Sequence, residues 1–515
     1  MSDFADAITK AYAAEGPVID LGRGVLGDET DTGAVVGVPL AMLTRHGLVA
    51  GATGTGKTRT LQVLAEGLSA AGVPVVIADV KGDVSGMLHP GDPAPDGPAA
   101  KRAAKLGVPF SPTGFPVELL SVGGLGPGVP IRATVSDFGP QLLAKILGAN
   151  ETQEQSLGLV FHYADAKELP LVDLADLRAL LTFLDAKENR AELEGIGGLS
   201  GATVGVLLRS LIGVEEMGGT EFFGEPQLDV ADLMRCAPDG RGIVSCVELA
   251  AVQDKPKLWS TVLMWLVAEL FETLPEAGDL PKPKLVVFLD EAHLLFDDAT
   301  KAFVDSIEQT VRLIRSKGVG VFFVTQVATD IAPGVLAQLG NRVQHALRAF
   351  TPQDAKALRA TVSTFPKSEY YDIEAMLPAL GTGEAAVTIL DEDGVPTPVV
   401  QTKLSPPRSR MTPADDIAAA AAASPLAAKY GTREERESAR EILAARMAKA
   451  APAGGSAPPP PEMEHVPVPK APKGRAPAPK PGAGEAVGDF LQSRQGKAIQ
   501  RQVVRGIFGM LRKKL

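Results

Sequence analysis

The sequence predicts an α/β fold in which a mainly parallel sheet is flanked by helices, and three observations lead to this prediction. A glycine-rich loop at residues 51–58 stands between a short apolar run and an amphipathic stretch. From Leu48 onwards, apolar runs of strand length alternate with helical patterns. A later apolar run, residues 285–289, ends in two adjacent carboxylates. Such alternation is typical of a parallel sheet that carries helices on both faces.

The glycine-rich loop, GATGTGKT, fits the phosphate-binding pattern GxxxxGK followed by Ser or Thr. Its glycines let several backbone N–H groups point at a polyphosphate, Lys57 supplies a positive charge, and the Thr58 hydroxyl can ligate Mg²⁺. The residues predicted to contact nucleotide are Gly51, Ala52, Thr53, Gly54, Thr55, Gly56, Lys57 and Thr58. With 54 glycines in the chain an accidental match is the alternative, but the flanking strand and helix patterns favour a site for ATP or GTP.

Composition and charge narrow the class of protein. The chain has 515 residues, of which 45% are apolar and 22% charged, as in soluble proteins of two or three domains. It shows no signal-peptide pattern and no long uncharged apolar run, and its two cysteines are too few for a structural zinc site, so we expect a cytoplasmic protein. The net charge of −11 confines any nucleic-acid binding to a local groove, pore or tail.

Patterning divides the chain into six regions. These are an N-terminal strand-containing segment (1–46), the first part of the α/β core (47–141), an α-helical insertion (142–235), the second part of the core with a terminal hairpin (236–405), a helix and a disordered Pro/Ala-rich linker (406–484), and a basic amphipathic helix (485–515). Strand patterns in the second part of the core recur at 242–249, 284–290, 318–326 and 342–350. The hairpin is predicted to turn at Asp393-Gly394.

Three polar residues at predicted strand ends indicate hydrolytic chemistry. Asp290 would hold Mg²⁺, and Glu291 would orient and deprotonate the attacking water. Gln326, which ends the next predicted strand, would place an amide beside the γ-phosphate as a sensor. The structural alternatives are an acidic strand end that caps the following helix and a glutamine that only terminates a strand. Their co-occurrence with the phosphate loop favours the catalytic interpretation.

This order of a magnesium aspartate, a catalytic glutamate and a polar sensor is typical of RecA-like P-loop ATPases, which act as rings. In such rings an arginine from the neighbouring subunit often neutralises charge in the transition state. Arg342 is the favoured candidate for that role. Arg348, Arg312 and Arg315 stay open as alternatives, and each arginine can equally serve as a surface or ion-pair residue.

Seven segments, in this order, resemble HerA-like P-loop ATPases of the HerA–FtsK superfamily, and within it the YjgR-type bacterial subgroup. They are GLVAGATGTGKT, VVIADVKGDVSGM, PIRATVSDFGPQLLAKILGANETQ, FFGEPQLDVADLM, LVVFLDEAHLLF, GVGVFFVTQ and LGTGEAAVTILDEDGVPTP, which span residues 17–411. Family members commonly carry a long N-terminal β-barrel, whereas only about 46 residues precede the phosphate loop here.

The resemblance implies a homohexameric ring that hydrolyses ATP with Mg²⁺ and moves double-stranded DNA through its channel as a helicase or translocase, with a nuclease or another protein as a possible partner. The residues that match the family's nucleotide, magnesium, water-activating and sensor positions are Lys57, Thr58, Asp290, Glu291 and Gln326. Arg342 is similar in placement to a trans-acting arginine.

DNA binding itself is not visible in the residues, so a second class of function stays open. The alternative is an ATP-gated scaffold or protein-remodelling ring ATPase without a nucleic-acid substrate. The C-terminal region, with seven basic and two acidic side chains in its last 31 residues, can contact the protein's own ring, DNA or an anionic membrane.

Overall fold

A single mixed sheet organises the computed structural model, which describes residues 3–193, 197–278, 280–297 and 301–450. Twelve strands form this sheet. In chain order they are β1 Val18–Leu26, β2 Glu29–Pro39, β3 Gly47–Ala50, β4 Val75–Asp79, β5 Val117–Val122, β6 Val129–Ile131, β7 Val244–Glu248, β8 Leu285–Leu289, β9 Val319–Thr325, β10 Asn341–His345, β11 Glu384–Thr388 and β12 Val400–Leu404.

The strand order across the sheet is β2-β1-β12-β11-β10-β3-β9-β8-β4-β7-β5-β6. The strands from β10 to β6 run parallel, whereas the other end of the sheet is antiparallel. Strands β3, β4, β7, β8 and β9 are buried at every residue, as expected for a parallel sheet covered on both faces. One strand, β9, separates the strand before the phosphate loop from the strand before the paired carboxylates. The α/β prediction of a mainly parallel sheet flanked by helices is confirmed.

The α-helices of the described residues cover this sheet or extend from it. They are α1 Asp3–Ala11, α2 Lys57–Ala70, α3 Pro98–Leu106, α4 Val135–Leu147, α5 Glu151–Ala166, α6 Leu174–Asp185, α7 Gly201–Val214, α8 Thr220–Phe222, α9 Pro256–Thr273, α10 Lys301–Ile314, α11 Pro333–Leu336, α12 Pro352–Val362, α13 Ile373–Ala379, α14 Ile417–Ala423, α15 Pro425–Tyr430 and α16 Ala439–Ala450. Helices α4 to α8 lie between β6 and β7, where the sequence predicts an insertion. Within the described residues, none of the helices has the length and hydropathy needed to span a bilayer.

Helix α4, the first helix between β6 and β7, is capped at its N-terminus by Thr134 and interrupted by a non-helical Gly139. The Thr134 hydroxyl accepts a hydrogen bond from the N–H of Asp137, which satisfies one of the free donors of the first turn.

The two tryptophans of α9, Trp259 and Trp265, are each 1% exposed. This burial explains the continuous apolar pattern of α9 as that of a core helix.

The N-terminal segment, predicted over residues 1–46 to contain strands, contributes β1 and β2 to the core sheet. Strand β1 pairs with β2 and also with β12, where Gly22 lies opposite Leu404. Helix α1, which was not predicted, packs against β2. The hairpin formed by β1 and β2 supplies hydrogen-bond partners to β12, which would otherwise be an unpaired edge strand.

Two further strands and one strand end also differ from the prediction. Strands β5 and β6 were missed because Glu118 and Ser121 interrupt the apolar pattern of β5. Glu118 is nevertheless buried and pairs with Arg235 at 3.1 Å. The strand predicted over 342–350 ends at His345 because the next carbonyl, that of Ala346, accepts the N–H of Ala52 at 2.9 Å and ties the chain to the phosphate loop.

The packed body continues past the predicted boundary at residue 406. Tyr430 is fully buried, its carbonyl accepts a 2.8 Å hydrogen bond from Arg132, and its hydroxyl lies 2.6 Å from a carboxylate oxygen of Asp232. Helix α16 packs against α6. The rest of the predicted linker, residues 451–484, and the predicted basic helix, residues 485–515, lie outside the described residues.

Candidate active site

The phosphate loop connects β3 to α2 and takes its shape from glycines. Gly51, Gly54 and Gly56 have φ values of +150°, +79° and +118°, which side chains disfavour. A Cβ on Gly51 would lie 2.5 Å from the Cβ of His345, so this position also requires glycine for space. Gly56 is the last residue before α2, and the loop therefore meets the N-terminus of that helix, where backbone N–H groups favour an anion.

Lys57, the first residue of α2, points back into the loop. Its Nζ donates hydrogen bonds to the carbonyl oxygens of Gly51 at 2.6 Å and Ala52 at 3.3 Å. Burial and the charge of Lys81 lower the pKa of Lys57, while Glu291 and Asp290 raise it. The lysine thus lies within electrostatic reach of both predicted catalytic carboxylates.

His345 supports the loop from β10, and the sequence analysis gave it no role. Its Nε2 lies 2.8 Å from the hydroxyl of Thr60 on α2. Burial and the nearby Lys57 charge lower the pKa of His345 to about 4, so the ring is neutral at physiological pH. A neutral ring adds no repulsion to Lys57. His345 lies three residues after the start of the strand predicted over 342–350, and that position alone did not indicate a contact with α2.

The strand register brings the predicted catalytic residues to one edge of the sheet. Ala50 pairs with Thr325, so Gly51 and Gln326 follow neighbouring strands at the same level. The N–H of Gly51 lies 3.1 Å from the carbonyl oxygen of Gln326, and the Gln326 side chain is exposed at this edge. Leu289 pairs with Phe323 on the other side of β9, which places Asp290 at the same edge.

Asp290 and Glu291 have different environments. Burial, followed by the charge of Glu291, raises the pKa of Asp290 to about 6. Glu291 has φ +47° and ψ +45°, a left-handed conformation that costs a non-glycine residue ~1–2 kcal/mol. The Oε1 of Glu291 lies 3.1 Å from the Nζ of Lys81, and its Oε2 lies 3.5 Å from the Nδ1 of His293.

Lys81 and Asp79 belong to this site, although the sequence analysis gave neither of them a role. Asp79 ends β4 beside β8, and its carboxylate accepts the N–H groups of Lys81 at 3.2 Å, Gly82 at 2.8 Å and Val84 at 2.7 Å. These bonds fold the loop after β4 so that Lys81 reaches Glu291. The signal that could have indicated Asp79 is an acidic residue directly after an apolar run, VVIA at 75–78, the same pattern that indicated Asp290.

The donors predicted for Mg²⁺ fit that ion. Thr58 follows Lys57 in α2, and its hydroxyl has no hydrogen-bond partner among the described residues. The carboxylate of Asp290 is partly buried at the end of β8, where it accepts only the N–H of Glu291, at 2.9 Å, in the described part of the chain. A hydroxyl and a carboxylate are oxygen donors of the kind that Mg²⁺ prefers.

Arg342 lies away from this edge. It pairs with Leu48 near the start of β3, at the opposite end of the parallel strands from the phosphate loop. Its guanidinium donates to the carbonyl oxygens of Leu339 at 3.1 Å and Thr364 at 2.9 Å. The structure therefore does not bring Arg342 to the phosphate loop of its own subunit.

Four arginines, Arg342 among them, line a cavity of about 480 Å³ that we call the arginine cavity: Arg45, Arg312, Arg315 and Arg342. Among the described residues, no acidic side chain lines it. Arg45 and Arg312 have no ion-pair or hydrogen-bond partner for their guanidinium groups in the described part of the chain, and Arg312 is exposed. The arginine cavity is thus suited to an anionic group brought by another molecule.

Comparisons with known proteins agree with this geometry. The family model described as "Helicase HerA-like C-terminal" matches residues 25–515. The bacterial conjugative coupling protein TrwBdeltaN70 is similar in structure, with a TM-score of 0.50 and 16% identity, over 79% of this chain and 94% of that chain. No curated protein matches the chain significantly.

Two further structures are similar at lower scores. TrwB in complex with ADP and Mg²⁺ has a TM-score of 0.48 and 17% identity over 76% of this chain and 96% of that chain. VirB4 of Thermoanaerobacter pseudethanolicus has a TM-score of 0.44 and 15% identity over 76% of this chain and 97% of that chain. At these identities the likeness concerns the fold alone, and the match to TrwBdeltaN70 supports the RecA-like P-loop fold.

Proposed function

The chain belongs to the helicase HerA-like C-terminal family, and on that premise we propose that it is an ATP-hydrolysing hexameric ring motor that acts on double-stranded DNA. Within the family we assign it to the YjgR-type bacterial subgroup, and we expect it to work in the cytoplasm. A nuclease or another protein is a possible partner of the ring.

One observation carries the proposed hydrolysis: the strand register collects the phosphate loop, Asp290, Glu291 and Gln326 at a single edge of the sheet. The chain separates the loop from Asp290 by more than 200 residues, which include the whole helical insertion. Their convergence in space is what a RecA-like hydrolytic site requires.

Each side chain has a role in this proposal. The loop N–H groups and Lys57 bind the β- and γ-phosphates, and Thr58 and Asp290 would hold Mg²⁺, which when bound neutralises charge on the phosphate oxygens. The Glu291 carboxylate orients the attacking water and accepts its proton. The exposed amide of Gln326 reports whether the γ-phosphate is present.

The arginine cavity supports the ring arrangement. Arg342, the arginine favoured by the sequence, is engaged with its own backbone, so it would have to exchange those bonds to reach a neighbouring nucleotide. Arg312 is exposed and needs no such exchange. We propose that the arginine cavity supplies the trans-acting arginine, with Arg342, Arg312 and Arg315 as its candidates.

Measurements of assembly and of DNA binding test the proposed hexamer and its proposed duplex DNA substrate. The Glu291→Gln variant with ATP should sediment at six times the chain mass and should bind a blunt duplex. Its affinity should fall steeply between 50 and 200 mM salt, because phosphate contacts release counterions. Lys57→Ala, which should bind ATP more weakly, is the control at an ATP concentration that saturates only Glu291→Gln. If Glu291→Gln binds no duplex at low salt, a scaffold or protein-remodelling ring replaces the DNA motor.

A further inference from the structure

One oxygen atom of the Glu291 carboxylate is paired with a lysine, and the other is buried. Oε1 lies 3.1 Å from the ammonium group of Lys81. Oε2 is inaccessible to solvent and has no hydrogen bond among the described residues, and it lies 3.5 Å from Nδ1 of His293. A general base needs an oxygen within reach of the water that it deprotonates. In this arrangement Oε2 of Glu291 is closed to water and Oε1 is occupied by the Lys81 ammonium.

The backbone conformation of Glu291 also indicates that surrounding contacts hold this residue in place. Its φ of +47° lies in the left-handed region that non-glycine residues rarely adopt. Strained backbone at a functional site persists only where surrounding contacts hold it, and such residues often belong to elements with two arrangements. The ion pair with Lys81 is a contact of this kind.

Lys81 is anchored at its backbone, and its side chain is more exposed than that of Glu291. Three N–H groups of its loop, including its own, donate to the buried carboxylate of Asp79. The Lys81 side chain is 43% exposed, whereas that of Glu291 is 12% exposed. Burial alone would lower the pKa of Lys81, but the hydrogen bond to Glu291 and the charges of Glu291, Asp290 and Asp83 raise it overall.

We propose that Lys81 is a positioning residue that holds Glu291 in a resting arrangement, and that ATP hydrolysis requires Glu291 to leave Lys81. This inference rests on the proposed ATPase function. A bound triphosphate carries more negative charge than a single carboxylate, so it competes with Glu291 for the Lys81 ammonium. Nucleotide binding would thereby release the base that acts on that nucleotide.

The test is the rate of ATP hydrolysis without DNA in the full-length chain. Lys81→Met removes the charge and keeps most of the stem, and Lys105→Met, at an exposed lysine of α3, is the matched control. Relative to this control, kcat of Lys81→Met should rise about three- to tenfold, whereas KM for ATP should also rise because the bound triphosphate loses its interaction with the Lys81 ammonium. Lys81→Arg, which can retain the ion pair with Glu291, should hydrolyse ATP more slowly than Lys81→Met.

A second readout does not depend on activity. Lys81→Met should lower the thermal midpoint in the wild-type background and leave it unchanged in the Glu291→Gln background, because the two side chains form one pair. Equal effects of Lys81→Met in both backgrounds would overturn the pairing.

The kinetic outcomes separate the two proposals. A kcat for Lys81→Met at or below that of Lys105→Met, in a folded protein, overturns the restraint but leaves the ATPase intact. If Lys81→Met does not fold, Lys81→Gln is compared with Lys81→Arg. Equal rates for these two overturn the restraint, and a faster Lys81→Gln supports it. Absence of hydrolysis in the wild type overturns both proposals.

Discussion

The Nζ of Lys57 donates a 2.6 Å hydrogen bond to the carbonyl oxygen of Gly51, so the lysine rests on the backbone of its own phosphate loop. In the proposed function a phosphate oxygen takes the place of that carbonyl. The Lys57 ammonium therefore lies where an anion would bind the loop, and its removal should mainly weaken nucleotide binding.

We expect Lys57→Ala to weaken ATP binding roughly tenfold to a hundredfold, because a charge-assisted hydrogen bond contributes about 1.5–3 kcal/mol. Calorimetric titration of ATP against Lys57→Ala and Lys105→Ala measures this loss. An affinity of Lys57→Ala equal to that of Lys105→Ala would remove Lys57 from the binding site.

Glu291→Gln should bind ATP with an affinity within about threefold of the wild type but hydrolyse it at least a hundredfold more slowly. The amide can still accept a hydrogen bond from water, but it cannot take up the proton. Single-turnover hydrolysis of labelled ATP separates binding from chemistry. Hydrolysis near the wild-type rate would show that another group activates the water.

Hybrid rings test the arginine cavity. Subunits that carry Arg342→Ala, Arg312→Ala or Arg315→Ala are mixed with Glu291→Gln subunits, each parent being inactive alone. If an arginine acts in trans, some interfaces of the mixed rings pair an intact glutamate with an intact arginine, and hydrolysis returns. We expect recovery for at least one of the three variants. No recovery at any mixing ratio for all three would contradict the proposed role of the arginine cavity.

Glu248, at the end of β7, should make stability depend on pH. Burial and then the charge of Asp79 raise the pKa of Glu248 from 4.5 to about 7, and the thiol of Cys246 donates to its Oε1 at 3.4 Å. The folded chain therefore keeps this proton to higher pH than the unfolded chain. Between pH 5 and 7 the unfolded state binds fewer protons, so this carboxyl lowers stability as pH rises, by about 2–3 kcal/mol in all.

Glu248→Gln removes the titrating carboxyl group and leaves its neighbours Asp79 and Cys246 unchanged. Relative to the wild type, the variant should gain stability between pH 5 and pH 8. Thermal midpoints of both proteins at the two pH values measure the gain. A constant difference between the proteins at both pH values would show that Glu248 titrates normally in the folded chain.

Local patterns were sufficient to predict much of the fold and of the site. The phosphate loop, the apolar strands before Asp290 and Gln326, and the helices of the insertion each carry their own sequence signal. Their meeting at one edge follows from the parallel strand register. Strand β5 was not predicted, because the charged Glu118 interrupts its apolar pattern. Glu118 is buried there only because it pairs with Arg235, which lies 117 residues further along the chain.

Contacts between distant segments could not be predicted. The ion pair of Lys81 with Glu291 depends on the turn that Asp79 organises, and the support of the loop by His345 depends on how β10 pairs with β3. Tyr430 is buried through bonds to Arg132 and Asp232, although the alanine-rich composition around it favours a linker. These contacts join residues that are distant in the chain, so they depend on the three-dimensional packing and produce no periodic pattern in the sequence.

The rate of ATP hydrolysis with and without linear duplex DNA tests the central claim most directly. We expect duplex DNA to raise the wild-type rate several-fold at 50 mM salt, the stimulation to fade as salt increases, and Glu291→Gln to stay inactive under both conditions. An active wild-type enzyme whose rate is the same with and without duplex DNA at low salt would contradict the account of this chain as a DNA motor.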